Sequence, residues 1–215
     1  EKIEALNSNY YSQEDIIKST GISKNNNLFL LNSIEVEKGL ERKLPYIEKA
    51  KVKKEFPNKV VIDVQDAKIA GVVDAGGTYV GISSTGKVLG CLENKAENAF
   101  IIEGVKFESL EPGNILKCED ENCQKILLEL MGLIEEKNLD NITRIDLSSL
   151  TNISVDYQNR IKINFGIFEN MDYKIRTAFE IISNKIEKDE KGMLNLSIIN
   201  KENKSYFTPD HNFEG

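Results

Sequence analysis

Histidine and arginine are scarce in this sequence of 215 residues. The one histidine, His211, argues against a histidine-based triad, a histidine-rich zinc site or a histidine proton relay. Lysine supplies 24 of the 28 basic side chains, and the net charge is −7. The arginines are Arg42, Arg144, Arg160 and Arg176. An acidic chain with so few bidentate guanidinium groups is a poor candidate for binding nucleic acid.

Long apolar runs are also missing, since no stretch reaches the roughly 18–20 residues that span a bilayer. The chain starts at Glu1 and not at Met. We therefore expect a processed chain or a piece of a longer protein. The lack of a leader or anchor in this sequence consequently says nothing about the native protein. The hydrophobic content of 40% is enough for a core, and the length fits one large or two small domains.

Cysteine occurs only at Cys91, Cys118 and Cys123. Three thiols cannot all pair: Cys118 and Cys123 could form a disulfide, or all three could stay reduced. A zinc site would need a fourth ligand and a closer spacing. We expect three thiols without a catalytic role. The acidic residues between Cys118 and Cys123 indicate the start of a helix, where carboxylates are favourable, and not a metal site.

The first seventy residues have the pattern of a compact βααββ unit. Residues 3–6 form a candidate strand, and Ser12 is placed to cap a helix that Gly21 ends. A loop at residues 25–27 precedes residues 28–31, which read as a short buried run. Alternating residues 47–54 and 60–65 then predict a hairpin that turns at Pro57.

The second predicted helix follows the buried run. Ser33 is placed to cap it, and Pro45 lies just beyond its end. Ile34, Leu40 and Leu44 are expected on its inner side.

From about residue 71 the sequence predicts short strands broken by glycine-rich turns. A periodic helix follows Asn122, and a second one covers residues 172–188. Further strands are predicted at residues 70–73, 78–82, 87–89, 142–147, 153–156 and 161–165, and a final hairpin joins residues 194–199 to 205–208.

Residues 81–87 match G-x-x-x-x-G-K, the pattern of a phosphate-binding loop. Such a loop leads into a helix, and Ser or Thr follows its lysine to bind magnesium. Here Val88 follows Lys87, and both flanks have the pattern of strands. The segment therefore favours a β-hairpin in which Gly86 adopts a positive φ.

The last predicted strand is the strongest candidate for an interaction site. A final strand after a hairpin is often a sheet edge, where another chain can add a strand. One of the adjacent aromatics Tyr206 and Phe207 would face the core, and the other would be available outside. The candidate partner-binding residues are Lys204, Ser205, Tyr206, Phe207 and Thr208.

Residues 3–70 resemble the POTRA domain of the bacterial cell-division family FtsQ, called DivIB in Gram-positive organisms. Asn9, Ser12 and Ile16 match the opening of that domain, and residues 21–29, 44–52 and 54–64 match later segments in order. Residues 79–89 resemble the hairpin that opens the family's β domain. The family's two Asp-containing strands are matched around Asp146 and Asn195, and Ser83 and Asn195 replace family aspartates, as in a divergent Gram-positive member.

The resemblance implies an α+β fold class: a POTRA domain (βααββ) followed by a mixed β-sheet domain with packed helices. It divides the chain into a POTRA domain over residues 1–71, a β domain over 72–208 and a flexible C-terminal tail over 209–215. It implies an extracytoplasmic region of a single-pass membrane protein, held by an N-terminal helix that this sequence lacks.

The resemblance also implies a function. Such proteins are non-enzymatic scaffolds of the septal divisome, without catalytic residues, cofactor or metal. They bind FtsL and DivIC/FtsB, help to regulate septal peptidoglycan synthesis, and bind partners by strand addition at the last strands of the β domain.

Two other functions fit parts of the sequence. A POTRA-containing transport or outer-membrane assembly component would bind polypeptides, but it usually carries several POTRA units or a barrel. A nucleotide-binding enzyme would use residues 81–87, and a nucleotide-induced rise in melting temperature would distinguish it.

Overall fold

The computed structural model describes residues 2–22, 28–199 and 205–210. The chain forms an α+β fold, and the described residues contain four helices and three β-sheets. No helix in these ranges is long and apolar enough to cross a membrane. Residues 25–27, the predicted first loop, lie outside the described ranges.

The first unit has the predicted βααββ order. Its elements are β1 (Lys2–Leu6), α1 (Gln13–Thr20), α2 (Ser33–Lys43), β2 (Ile47–Glu55) and β3 (Lys59–Asp66). Strand β3 lies in the centre of the sheet, parallel to β1 and antiparallel to β2. Alternate residues of β2 and β3 point into a core with the buried faces of α1 and α2.

Capping residues set where these helices begin and end. The Ser12 hydroxyl accepts a hydrogen bond from the Asp15 N–H at 3.2 Å, and Gly21 ends α1 with a φ of 70°. The prediction that Ser33 caps α2 is wrong. Asn32 is the cap, because its side-chain oxygen lies 3.4 Å from the Glu35 N–H.

Two predictions of burial in this unit are also wrong. Of residues 28–31, Leu28 is buried and Leu31 is half-buried, while Phe29 and Leu30 are exposed. Ile34 is exposed as well. Six residues advance a helix by about 240°, so Ile34 cannot share the inward face with Leu40.

The second unit is built on a nine-stranded mixed sheet. Its spatial order is β14-β13-β12-β11-β10-β7-β4-β5-β6. The first strands are β4 (Ile69–Asp74), β5 (Tyr79–Ser83), β6 (Val88–Leu92) and β7 (Phe100–Glu103). A two-stranded ribbon, β8 (Phe107–Ser109) and β9 (Lys117–Cys118), precedes α3 (Glu121–Glu136). Then follow β10 (Ile142–Asp146), β11 (Ile153–Tyr157), β12 (Ile161–Gly166), α4 (Met171–Lys185), β13 (Gly192–Asn195) and β14 (Tyr206–Pro209).

The sheet differs from the sequence prediction in two places. Strand β7 was not predicted, although it joins the two halves of the sheet by pairing in parallel with both β4 and β10. Strand β13 ends at Asn195, and residues 197 and 198 form a turn, so the strand predicted at residues 194–199 is too long.

Helices α3 and α4 share one hydrophobic core with the sheet. Their buried residues pack with Ile145, Val155, Ile163 and Leu194 of the sheet. Lys174 in α4 is fully buried, and its Nζ donates to the Phe165 and Ile167 carbonyls at 2.8 and 2.9 Å. Burial lowers the pKa of Lys174. Through these hydrogen bonds the ammonium group links α4 to the end of β12.

The two units meet through a polar contact. The buried Lys87 Nζ donates to the Ile47 carbonyl of the first unit, and the Thr85 hydroxyl donates to Glu48 Oε1 at 2.5 Å. Gly113 lies so close to the Arg42 carbonyl that an added Cβ would be 1.9 Å from its oxygen. Since β4 belongs wholly to the second sheet, we propose that the domain boundary lies between residues 66 and 69 and not at residue 71.

We predict that Lys87→Met lowers the free energy of unfolding by about 1.5–3 kcal/mol. Methionine preserves the apolar stem but leaves the Ile47 carbonyl and the Glu48 carboxylate without the buried cation. Urea unfolding measures the effect, with Lys68→Met at an exposed position as the control. Equal stability of the two variants would contradict a structural role for this contact.

Candidate functional site

The outer edge of β2 is covered by side chains from α2. Ala50 and Val52 point their N–H groups away from β3, since each N–H bonds to a glutamate carboxylate. The Ala50 N–H donates to Glu41 Oε1 at 2.9 Å and the Val52 N–H to Glu37 Oε1 at 2.7 Å. An incoming strand would first have to displace both carboxylates, so this edge is protected.

The outer edge of β6 is also partly occupied. The Val88 N–H donates to the Asn114 carbonyl at 2.9 Å, and the Gly113 N–H donates to the Val88 carbonyl at 2.8 Å. The loop at residues 113–116 therefore pairs with the beginning of β6.

Strand β14 is the edge at the other end of the large sheet. The Gly192 N–H donates to the carbonyl of Arg160, just before β12, at 3.0 Å. The N–H of Leu196, just after β13, donates to the Asn164 carbonyl of β12 at 2.8 Å. The odd-numbered residues of β13 therefore face β14, and the Asp210 N–H donates to the Lys191 carbonyl at 2.9 Å.

This alternation fixes the direction of the backbone groups in β14. Thr208 pairs with Met193 and Tyr206 with Asn195, so both turn their backbone groups toward β13. The N–H and C=O of Phe207 consequently point to the outer edge. The N–H and C=O of Ser205, two residues earlier, point to the same outer edge. Pro209 has no N–H and therefore presents only its carbonyl at that edge. No described strand pairs with this outer edge, so it can accept one short added strand.

The side chains of β14 point alternately to the two faces of the sheet, as predicted. Phe207 packs against the core of the second unit, and Tyr206 lies on the opposite face with 51% of its surface exposed. Thr208 is exposed and Ser205 is half-buried just before the strand. Lys204 lies outside the described residues, as do the loop at residues 200–203 and His211.

The face of the sheet that carries Tyr206 is polar. Arg144 Nε lies 3.4 Å from Asp156 Oδ2, and Lys162 Nζ lies 3.8 Å from Asp146 Oδ2. Burial raises the pKa of Asp156, and Arg144 opposes that shift. This side of the sheet therefore carries charges of both signs on β10, β11 and β12, two to four strands away from β14.

The residues that match a phosphate-binding loop form a hairpin turn. Residues 84–87 connect the antiparallel strands β5 and β6, and Gly86 has a φ of 84°. No helix follows the turn, and the Lys87 ammonium already bonds to the first unit. Burial lowers the pKa of Lys87, and Glu48 and Glu41 oppose that effect.

The cysteines are three separate thiols. Cys118 and Cys123 are buried and Cys91 is exposed, and the Asp120 carboxylate caps α3 by accepting from the Asn122 and Cys123 N–H groups at 2.8 and 3.0 Å. The acidic segment is therefore a helix start, as predicted. Within the described ranges, no group of three His, Cys, Asp or Glu residues could hold a metal ion.

The chain is similar to several known proteins. The family described as POTRA domain, FtsQ-type, matches residues 1–66. The chain is 28% identical over 199 residues to Cell division protein DivIB of Clostridium tetani, covering 91% of this chain and 74% of the relative. It is 30% identical over 200 residues to the protein of that name from Clostridium botulinum strain Hall, covering 92% and 77%. A third relative, from strain Loch Maree, is 30% identical over 188 residues, covering 86% and 73%.

We predict that iodoacetamide at pH 8 modifies Cys91 in the folded chain and leaves Cys118 and Cys123 intact. Burial raises the pKa of Cys118 to about 11 and also raises that of Cys123, so the reactive thiolate is suppressed at both. Mass spectrometry of peptides, with and without denaturant, locates the label. Equal labelling of Cys118 and Cys91 in the folded chain would contradict this arrangement.

Proposed function

The chain belongs to the DivIB family of bacterial cell-division proteins, and from this premise we propose that it is a non-enzymatic scaffold of the septal divisome. In this proposal it binds FtsL and DivIC/FtsB-like proteins and thereby helps to regulate the septal peptidoglycan synthase complex. The native protein is held in the cell membrane by one N-terminal helix, and the present chain is extracytoplasmic at the division septum.

The open edge of β14 is the observation that carries the partner-binding proposal. The outer edge of β2 is capped by Glu37 and Glu41, and the beginning of β6 is paired with a loop. Strand β14 instead turns the Phe207 backbone outward and keeps Tyr206 exposed beside it. We propose that an extended segment of the partner adds to residues 204–208 and contacts the Tyr206 ring.

The proposal assigns different tasks to the two aromatics. Tyr206 is an anchor for the partner, because its ring is accessible and amphipathic. Phe207 supplies backbone groups to the partner while its side chain holds β14 on the core. A polar substitution of Phe207 would therefore damage the fold and could not serve as a test of binding.

We predict that Tyr206→Asp weakens binding to the purified extracytoplasmic DivIC–FtsL pair by at least about 2 kcal/mol, or roughly 30-fold. The change removes an anchor ring without removing a core side chain. Isothermal titration calorimetry measures the affinity, and Tyr173→Asp, at an exposed tyrosine of α4, is the matched control. Equal affinities of the two variants, both folded, would eliminate Tyr206 as an anchor.

We predict that Ser205→Pro weakens the same interaction about tenfold, because proline removes an N–H that faces the incoming strand. This N–H makes no ladder bond to β13, so the melting temperature should stay close to that of the unmodified chain. Ser205→Ala keeps the N–H and serves as the control. A proline variant that binds as tightly as the alanine variant would argue against strand addition at this position.

A further inference from the structure

The most exposed hydrophobic side chains belong to elements that meet at one end of the POTRA domain. Phe29, Leu30, Ile34 and Phe56 are 77%, 82%, 63% and 57% exposed, the highest values among the large hydrophobic side chains that the structure describes. We call these four residues the apolar tip. Such a cluster on a folded domain marks an interaction surface and not a packing requirement.

Three elements bring the tip together. Phe56 lies in the turn between β2 and β3, and its ring centroid is 4.8 Å from that of Phe29. The hydrogen bonds from β2 to Glu37 and Glu41 show that α2 runs antiparallel to β2. The first turn of α2, with Ile34, therefore lies at the same end as Phe56.

The chain enters the POTRA domain beside this tip. Lys2 of β1 pairs with Lys59, which follows the turn that carries Phe56. Strand β3 then leads away from the tip, and the β domain is attached at the opposite end. A membrane anchor that precedes β1 would consequently hold the apolar tip toward the bilayer.

Lysine side chains lie beside the apolar tip. Lys59 Nζ lies 3.1 Å from both Glu4 and Glu55, so it balances one of the two carboxylate charges. Lys53 is exposed and Lys54 is half-buried at the end of β2, and neither forms an ion pair with another described residue. Aromatic and aliphatic side chains flanked by lysines are typical of segments that lie in a membrane interface.

We propose that the apolar tip contacts the lipid bilayer, with Phe29, Leu30 and Phe56 in the interfacial region and Lys53 and Lys54 near anionic headgroups. This inference rests on the membrane-anchored part of the proposed function. A second copy of the chain is a weaker fit, because a stable protein interface uses about 20–30 residues on each side. The tip has four.

The sequence contains no tryptophan, so Phe56→Trp places a single fluorescent reporter in the tip. The full chain is tethered by an N-terminal histidine tag to vesicles of phosphatidylcholine, phosphatidylglycerol and a nickel-chelating lipid. The emission of Phe56→Trp should shift to shorter wavelength and be quenched by brominated lipid. Tyr173→Trp, on α4 of the β domain, should show neither change.

Adding Leu30→Asp to the reporter chain should weaken untethered binding to phosphatidylglycerol vesicles at least about tenfold. No shift of Phe56→Trp on tethered vesicles would overturn the proposal. Self-association without vesicles that Leu30→Asp abolishes would also overturn it, since the tip would then bind a second copy. Binding of the DivIC–FtsL pair in solution should be unaffected by Leu30→Asp, which separates a failure here from a failure at β14.

Discussion

Every strand at the edge of a sheet presents N–H and C=O groups that have no partner within the sheet, and this constraint shapes the molecule. Exposed edges invite other chains, so proteins cover or interrupt them. Here two carboxylates of α2 cap β2, and a loop pairs with the beginning of β6. No other strand among residues 2–22, 28–199 and 205–210 pairs with the outer edge of β14, and an exposed tyrosine lies beside it. This difference supports the proposed binding of a partner strand at β14.

The rest of the β domain gives this short edge a rigid support. Among the described strands, β14 pairs with β13 alone, and β13 in turn pairs in parallel with β12. The buried Lys174 ammonium binds carbonyls at the end of β12, and Arg160 Nη1 donates to the Glu190 carbonyl at 2.9 Å in the connection before β13. The first turns of α4 and the connection between α4 and β13 are therefore fixed to the sheet. A partner that adds a strand meets an ordered backbone, which reduces the entropy lost on binding.

Much of this fold could be predicted from local sequence. The cap at Ser12, the βααββ order, the periodic helix α3 and the last hairpin follow from patterns within short windows. Burial of lysine could not be predicted, since Lys87 and Lys174 look like surface residues until the elements around them are assembled. The same is true of β7, a four-residue strand identified only by its pairing in the sheet. The sequence placed the candidate edge at residues 204–208, but the outward direction of the Phe207 backbone depends on the register with β13.

Residue-resolved hydrogen exchange of the Phe207 amide tests the central claim most directly. In the free chain this N–H should exchange rapidly, while the neighbouring Thr208 N–H, which faces β13, should be protected. Adding the DivIC–FtsL pair should slow exchange at Phe207 and leave Thr208 protected. A complex that forms while the Phe207 amide still exchanges at its free rate would contradict strand addition at β14.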